Sequence, residues 1–283
     1  MSKTSKCILD CVFYIVIYLA IQLVVTLLMS IGWQVSQGHT LSQAVVACAH
    51  GAVDLQSGKL QAGIAVLSSL LTIVLFAALK WSPVRRDYLQ SKPWVSLIWV
   101  VLLTLGTILP SEFMVEKLNL QMPATAEQMF QAIMAQPWGY AAIGILAPLA
   151  EEMVFRGGLL RQLLNLTGSS RHWLAIVISA LVFGVLHLNF AQGVHAFIIG
   201  LLLGWMYYRT GSIVPGVAFH WVNNSVAYAM FHFMPQMADG KLIDLFHGST
   251  RSMTAGLFFS FCILLPSLYQ LALRLKRGDS DKM

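Results

Sequence analysis

Charge is what this chain has least of. Asp, Glu, Lys and Arg together make up 11% of its 283 residues, against about 25% in a soluble domain. A soluble globular protein is excluded on that ground. Cysteine is nearly as scarce. Cys7, Cys11, Cys48 and Cys262 are the four, and no two have metal-ligand spacing, so neither a disulfide framework nor a zinc knuckle is expected. There is no P-loop, no HExxH helix, no internal repeat and no low-complexity tract. The first apolar segment is too long for a signal-peptide core and has no small-residue cleavage site after it, so it is expected to be a retained span.

What the chain does have is apolar length. Hydrophobic residues are 57% of the total and the mean hydropathy is +0.71. Eight apolar runs can be marked: Ile8–Trp33, Leu60–Leu79, Trp94–Leu109, Trp138–Leu164, His172–Leu188, Ala191–Tyr208, Ser212–Met234 and Ser252–Leu273. A helix needs roughly 20 predominantly apolar residues to cross a bilayer. The third run is shorter, and Pro110 is expected to end it. Between the runs, Leu41–Ala49 reads as a short helix and 124–134 as an amphipathic helix lying at the membrane interface. The fold class is therefore all-α: a polytopic transmembrane helical bundle of about eight spans, one integral-membrane domain over 1–283. The formal net charge of +6 could suggest nucleic acid, but the basic residues flank apolar runs and form no single patch. With eight spans and both termini in the cytoplasm, fourteen of the eighteen Lys and Arg lie inside and four outside. That imbalance fixes the expected orientation. The implied partners are the lipid bilayer and a peptide or protein substrate, with no nucleic acid.

The stretch Ala150–Gly158, AEEMVFRGG, interrupts the fourth run with two carboxylates and an arginine. A charged side chain at the bilayer centre costs roughly 2.5–3.5 kcal/mol on insertion scales. Glu152 and Arg156 are four apart and share a helix face, so they can pair. Glu151 points about 100° away and is the carboxylate left free. The fifth run reads SALVFGVLH and places Phe183 and His187 on one face. The seventh reads GVAFHWVNN and does the same for His220 and Asn224. His195 on the sixth run is a weaker candidate. These side chains can hydrolyse an amide. Glu151 with His187 can activate a water as general base. The Asn224 amide and His220 can face the developing oxyanion, with Glu152 and Arg156 orienting the helix. Equally, Glu151, His187 and His220 form the His₂Glu ligand set of a catalytic Zn²⁺. No organic cofactor is implied. From the assumed helix ends, Glu151 lies nearer the cytoplasm than His187.

EEMVFR is an EExxxR motif, FGVLH an FxxxH motif and HWVNN contains HxxxN. In that order on separate membrane helices, they resemble the CPBP family of intramembrane proteases, the CAAX prenyl endopeptidases with their bacteriocin-processing and immunity relatives. The resemblance covers 138–235, the expected catalytic core. It implies an all-helical eight-span core and cleavage of membrane-associated peptides. It places Glu151, Glu152, Arg156, His187, His220 and Asn224 in the active site, and both metal-dependent and metal-independent mechanisms have been argued for the family. A bacterial inner or plasma membrane is the expected location. The alternatives are a non-catalytic scaffold or immunity protein of the same fold and, lacking the inverted repeats it would show, a transporter.

Overall fold

The computed structural model describes residues 2–83, 87–234 and 241–275, and among them every regular element is helical. In hydrocarbon every backbone N–H and C=O must find a partner within the protein, and a helix supplies those partners locally. The order is α1 (Lys3–Ser36), α2 (Leu41–Ala49), α3 (Gly58–Ala78), the single turn α4 (Asp87–Gln90), α5 (Trp94–Lys117) and α6 (Ala124–Met134). A composite helix, Tyr140–Thr167, follows. It contains α7 (Ala147–Glu152) and α8 (Arg161–Thr167), with π-helical stretches at Tyr140–Leu146 and Met153–Leu160. Then come α9 (His172–Val185), α10 (Phe190–Thr210), α11 (Val214–Phe233) and α12 (Thr250–Arg274). Side-chain caps start several of them: Thr40 and Gln43 form a capping box on α2, and Asn189 accepts from the Gln192 N–H to open α10. Gly211, at φ +63°, closes α10 in the left-handed region that suits glycine.

The composite helix is the axis of the molecule. All eight residues Met153–Leu160 are buried, so this stretch is covered on every side, as a helix inside a bundle must be. Phe155, Leu160, Phe183 and Ile176 form a core with Tyr14 of α1 and Phe76 of α3. Helix α1 runs antiparallel to the composite helix: Gln162 donates to Asp10 and to the Tyr14 hydroxyl, and Tyr18 packs on Phe155.

The eight apolar runs reappear as eight helices. Five of them, α1, α3, α5, α10 and α12, are long and apolar enough to cross a membrane, and the pair Tyr140–Thr167 with Ser169–Val185 makes a sixth candidate bent by 112°. The protein is thus an integral membrane protein with five to six candidate spans among the described residues. The difference from eight has a physical reason. Helix α9 has 14 residues, about 21 Å, which is short of a hydrocarbon core of about 30 Å. Helix α11 has the length, but its His and Asn residues dilute its apolar character.

Pro110 does not end the third run. Helix α5 continues through it to Lys117. The carbonyl that Pro110 deprives of a donor is that of Gly106, four residues earlier. Gly106 faces α12 so closely that a Cβ there would lie 2.8 Å from the Leu264 nitrogen. Nearby, Thr107 and Ser111 hydroxyls donate to the carbonyls of Thr104 and Ile108. Membrane helices tolerate proline where hydroxyls and packed neighbours take up the freed groups. Gly106→Leu is accordingly expected to separate α5 from α12 and to destabilise the protein by about 1–3 kcal/mol, read as a lower unfolding midpoint in mixed micelles.

Candidate active site

The site begins with a backbone defect. At the end of the first π stretch the Ala147 N–H bonds to the Ala142 carbonyl, five residues back. The Ile143 carbonyl would find its equivalent partner at residue 148, which is proline and has no N–H. Asn224 on α11 fills the gap, donating its side-chain amide to Ile143 O at 3.0 Å. Its own Oδ1 accepts from the Asn223 amide at 3.3 Å. One side-chain N–H of Asn224 therefore ties α11 to the composite helix, and the second remains to be used.

One turn further on sits the ion pair expected from the spacing. Glu152 Oε1 accepts from Arg156 Nη1 at 2.8 Å, with both side chains buried. The guanidinium lies over the Phe183 ring at 4.4 Å, a cation–π contact. Two glycines admit the pair. A Cβ at Gly216 of α11 would collide with Glu152 Oε2, and one at Gly200 of α10 would stand 3.4 Å from Arg156 Nη2. Neither glycine was singled out from the sequence, although Gly216 precedes His220 by four residues and so shares its face.

His220 stands between the two carboxylates. Its Nε2 is 3.6 Å from Glu151 Oε2 and its Nδ1 is 3.6 Å from Glu152 Oε1. Glu151 is partly exposed, at 20% of its side chain. The resulting line, Glu151–His220–Glu152–Arg156, alternates acid, imidazole, acid and base. The imidazole in direct contact with Glu151 is that of His220.

His187 lies just beyond α9, in the tight turn that leads to α10, and not within a helix reaching Leu188. Its N–H bonds back to Gly184 O, and Leu188 takes a positive φ of 56°. Its Nδ1 is 2.8 Å from the Phe183 carbonyl. A carbonyl can only accept, so Nδ1 carries the proton and Nε2 presents a lone pair. Phe183 is the hub: its ring meets His187 at 4.9 Å, His220 at 6.0 Å and Phe155 at 4.9 Å. His195 of α10 is in electrostatic range of His187 and His220. Arg156, His187 and His220, one residue from each of the three motifs, thus meet at one phenylalanine.

Glu151 and His187 are each four residues from one shared contact, that of Phe155 with Phe183. This contact and the Ser179 hydroxyl, donating to Phe155 O at 3.0 Å, fix the level at which α9 meets the composite helix.

For a metal, the test is convergence of donors. Among the described residues no three His, Cys, Asp or Glu side chains gather as a metal ion needs. The bonds of His187 Nδ1 to a carbonyl and of His220 Nδ1 towards Glu152 would suit ligating imidazoles, but the donors do not converge on one point. As placed, Glu151, His187 and His220 do not fit as a ligand set.

An acid–imidazole cluster buried among apolar helices defines a class, that of integral membrane proteins with a polar site inside the bundle. The family model described as type II CAAX prenyl endopeptidase Rce1-like matches residues 133–226, a third of the chain. Those residues are an Rce1-like domain, in line with the resemblance carried by EExxxR, FxxxH and HxxxN, and the match contains all six motif residues. No curated protein and no solved structure matches the chain.

Two stability measurements follow. Arg156→Met leaves Glu152 buried without a counter-charge and should cost about 3–5 kcal/mol, whereas the double change with Glu152→Met should recover most of it. Asn224→Ala strips Ile143 O of its donor and should cost about 1–3 kcal/mol. Unfolding midpoints of the purified variants in mixed micelles check both.

Proposed function

We propose that this protein is an intramembrane endopeptidase that hydrolyses peptide bonds of membrane-associated peptides or proteins with a water activated by Glu151. The observation that supports this best is the line Glu151–His220–Glu152–Arg156 beside a His187 whose Nε2 lone pair is free. A purely structural ion pair needs Glu152 and Arg156 alone. It gives no reason for a second, partly exposed carboxylate with an imidazole against it.

The roles then follow from the donors. Glu151 takes a proton from the water, with His187 Nε2 accepting a hydrogen bond that orients it. The water oxygen adds to the scissile carbonyl. The second N–H of Asn224 faces the oxyanion that forms, joined by His220 Nε2–H once Glu151 has taken the proton and no longer competes for it, in a water-poor site where such donors act most strongly. Collapse breaks the C–N bond, and the proton held by Glu151 passes to the leaving nitrogen, giving a carboxylic acid and an amine. Glu152, held by Arg156, keeps the His220 ring in place. No step passes through a metal. Chain ends of the CAAX type are the substrate class that the family description names. The arrangement in the membrane is proposed as eight traverses with both termini in the cytoplasm and the bacterial inner or plasma membrane as location, on the distribution of Lys and Arg.

The test is cleavage in reconstituted vesicles against a library of membrane-associated peptides, with and without a strong chelator. Wild type should cut, and Glu151→Gln should lose about 10²–10⁴-fold in rate while keeping its helicity. Equal cutting by both would remove Glu151 from the chemistry. Loss of activity to the chelator, restored by added zinc, would reinstate the Glu151, His187 and His220 ligand set. If neither protein cuts and one partner co-purifies with both, the scaffold reading replaces the protease.

A further inference from the structure

A single amide serves both sides of the turn that carries His187. Asn189 Oδ1 accepts from the Gln192 N–H at 2.9 Å, which caps α10. Its Nδ2 donates to the His187 carbonyl at 3.2 Å and also to the side-chain oxygen of Gln192. A backbone N–H can only donate and a carbonyl can only accept, so these partners fix which way the Asn189 amide points. Capping a helix needs only the oxygen, and Ser, Thr or Asp would supply one. The bond to His187 O needs a donor as well, and the cap alone gives no reason for it.

That bond completes the hold on His187. Its N–H donates to Gly184 O, its carbonyl accepts from Asn189 and its Nδ1–H donates to Phe183 O. Among the described residues, Nε2 alone has no partner. Leu188 joins His187 to Asn189 at φ +56°, a left-handed conformation uncommon for a bulky side chain. Its side chain is 87% exposed, so burial of the leucine does not account for the bend. The bend brings the Asn189 amide back to the carbonyl two residues before it. One turn below, α9 and α10 touch backbone to backbone: a Cβ at Gly184 would lie 2.5 Å from Gly193 O. The hairpin is closed on both sides of His187, by glycines beneath it and by Asn189 beyond it.

We infer that Asn189 is a positioning residue for His187: by holding the His187 carbonyl, it keeps the turn in the form that sets Nδ1 on Phe183 O and leaves Nε2 with the lone pair. The kinetic consequence rests on the endopeptidase reading, whereas the contact does not. A carbonyl left unmet among apolar side chains is costly, so without Asn189 the turn would re-form to satisfy it. The ring would then lose its fixed bond to Phe183 O, and with it the single tautomer which that bond imposes.

Asn189→Ser keeps an uncharged capping oxygen but ends one atom short of Nδ2. In reconstituted vesicles it should lower kcat about tenfold with KM unchanged, as expected when a reacting group loses its orientation. Ser249→Ala is the control: it removes the side-chain cap of α12 and should lower the unfolding midpoint while leaving kcat as in wild type. A second readout needs no turnover. Imidazole ¹⁵N spectra of the full chain in mixed micelles, with His187 assigned by its loss in His187→Gln, should show one tautomer in wild type, protonated on Nδ1. Asn189→Ser should add the Nε2-protonated form, and Ser249→Ala should not. If wild type cuts nothing, the peptidase reading fails and the ring spectrum alone decides the role of Asn189. An unchanged tautomer in Asn189→Ser, or the same change in Ser249→Ala, overturns it.

Discussion

A full charge pair inside an apolar bundle organises this molecule. Glu152 and Arg156 are both essentially sealed from solvent. Two unit charges attract by about 4 kcal/mol at 4 Å and an effective dielectric near 20, but removing each from water costs several kcal/mol. The pair therefore needs further support, and three helices supply it. Helix α9 brings the Phe183 ring under the guanidinium, and α10 and α11 bring Gly200 and Gly216, whose missing side chains leave room for charged groups. Once Glu152 is pinned, the next residue on the helix has its direction set. Glu151 points into the gap where His220 stands.

The helix that carries the pair is not a regular α-helix, and its irregularities serve the same end. Two π stretches flank the two glutamates. Each widens the turn and releases a carbonyl or shifts a face. At Ile143 the released carbonyl faces Asn224, because Pro148 cannot answer it. A residue of the HxxxN motif thus does a structural task while one amide proton is left over for chemistry. At Phe155 the carbonyl is met by Ser179 instead. Irregular helices of this kind survive in a membrane because neighbouring side chains complete their hydrogen bonds, and they are frequent at functional sites.

Much of this was legible in the sequence. Apolar periodicity needs no tertiary information, so all eight runs became helices, and Leu41–Ala49 and 124–134 appear with the bounds their patterns indicated. The Glu152–Arg156 pair depends only on i,i+4 spacing, and it formed. What failed depended on contacts between helices. Pro110 looks like a stop because the sequence does not reveal the close packing of α12 on Gly106, beside which the helix continues. The contact of His220 with both carboxylates likewise depends on how α11 packs on the composite helix, which spacing within one helix does not reveal. Span number is the coarsest case, since α9 is a short helix whose role in crossing depends on the 112° bend before it.

The same geometry explains why adjacent glutamates are not duplicates. Glu152 shares its Oε1 between Arg156 at 2.8 Å and His220 at 3.6 Å, and it is closed off from solvent. Any proton it took up would weaken the interaction that holds Arg156 in place, so it is suited to holding and not to proton transfer. Glu151 faces one imidazole and keeps some access. Sequence adjacency gives the two residues a difference of about 100° in direction, and that rotation separates a sealed carboxylate that secures the fold from one that keeps access to solvent.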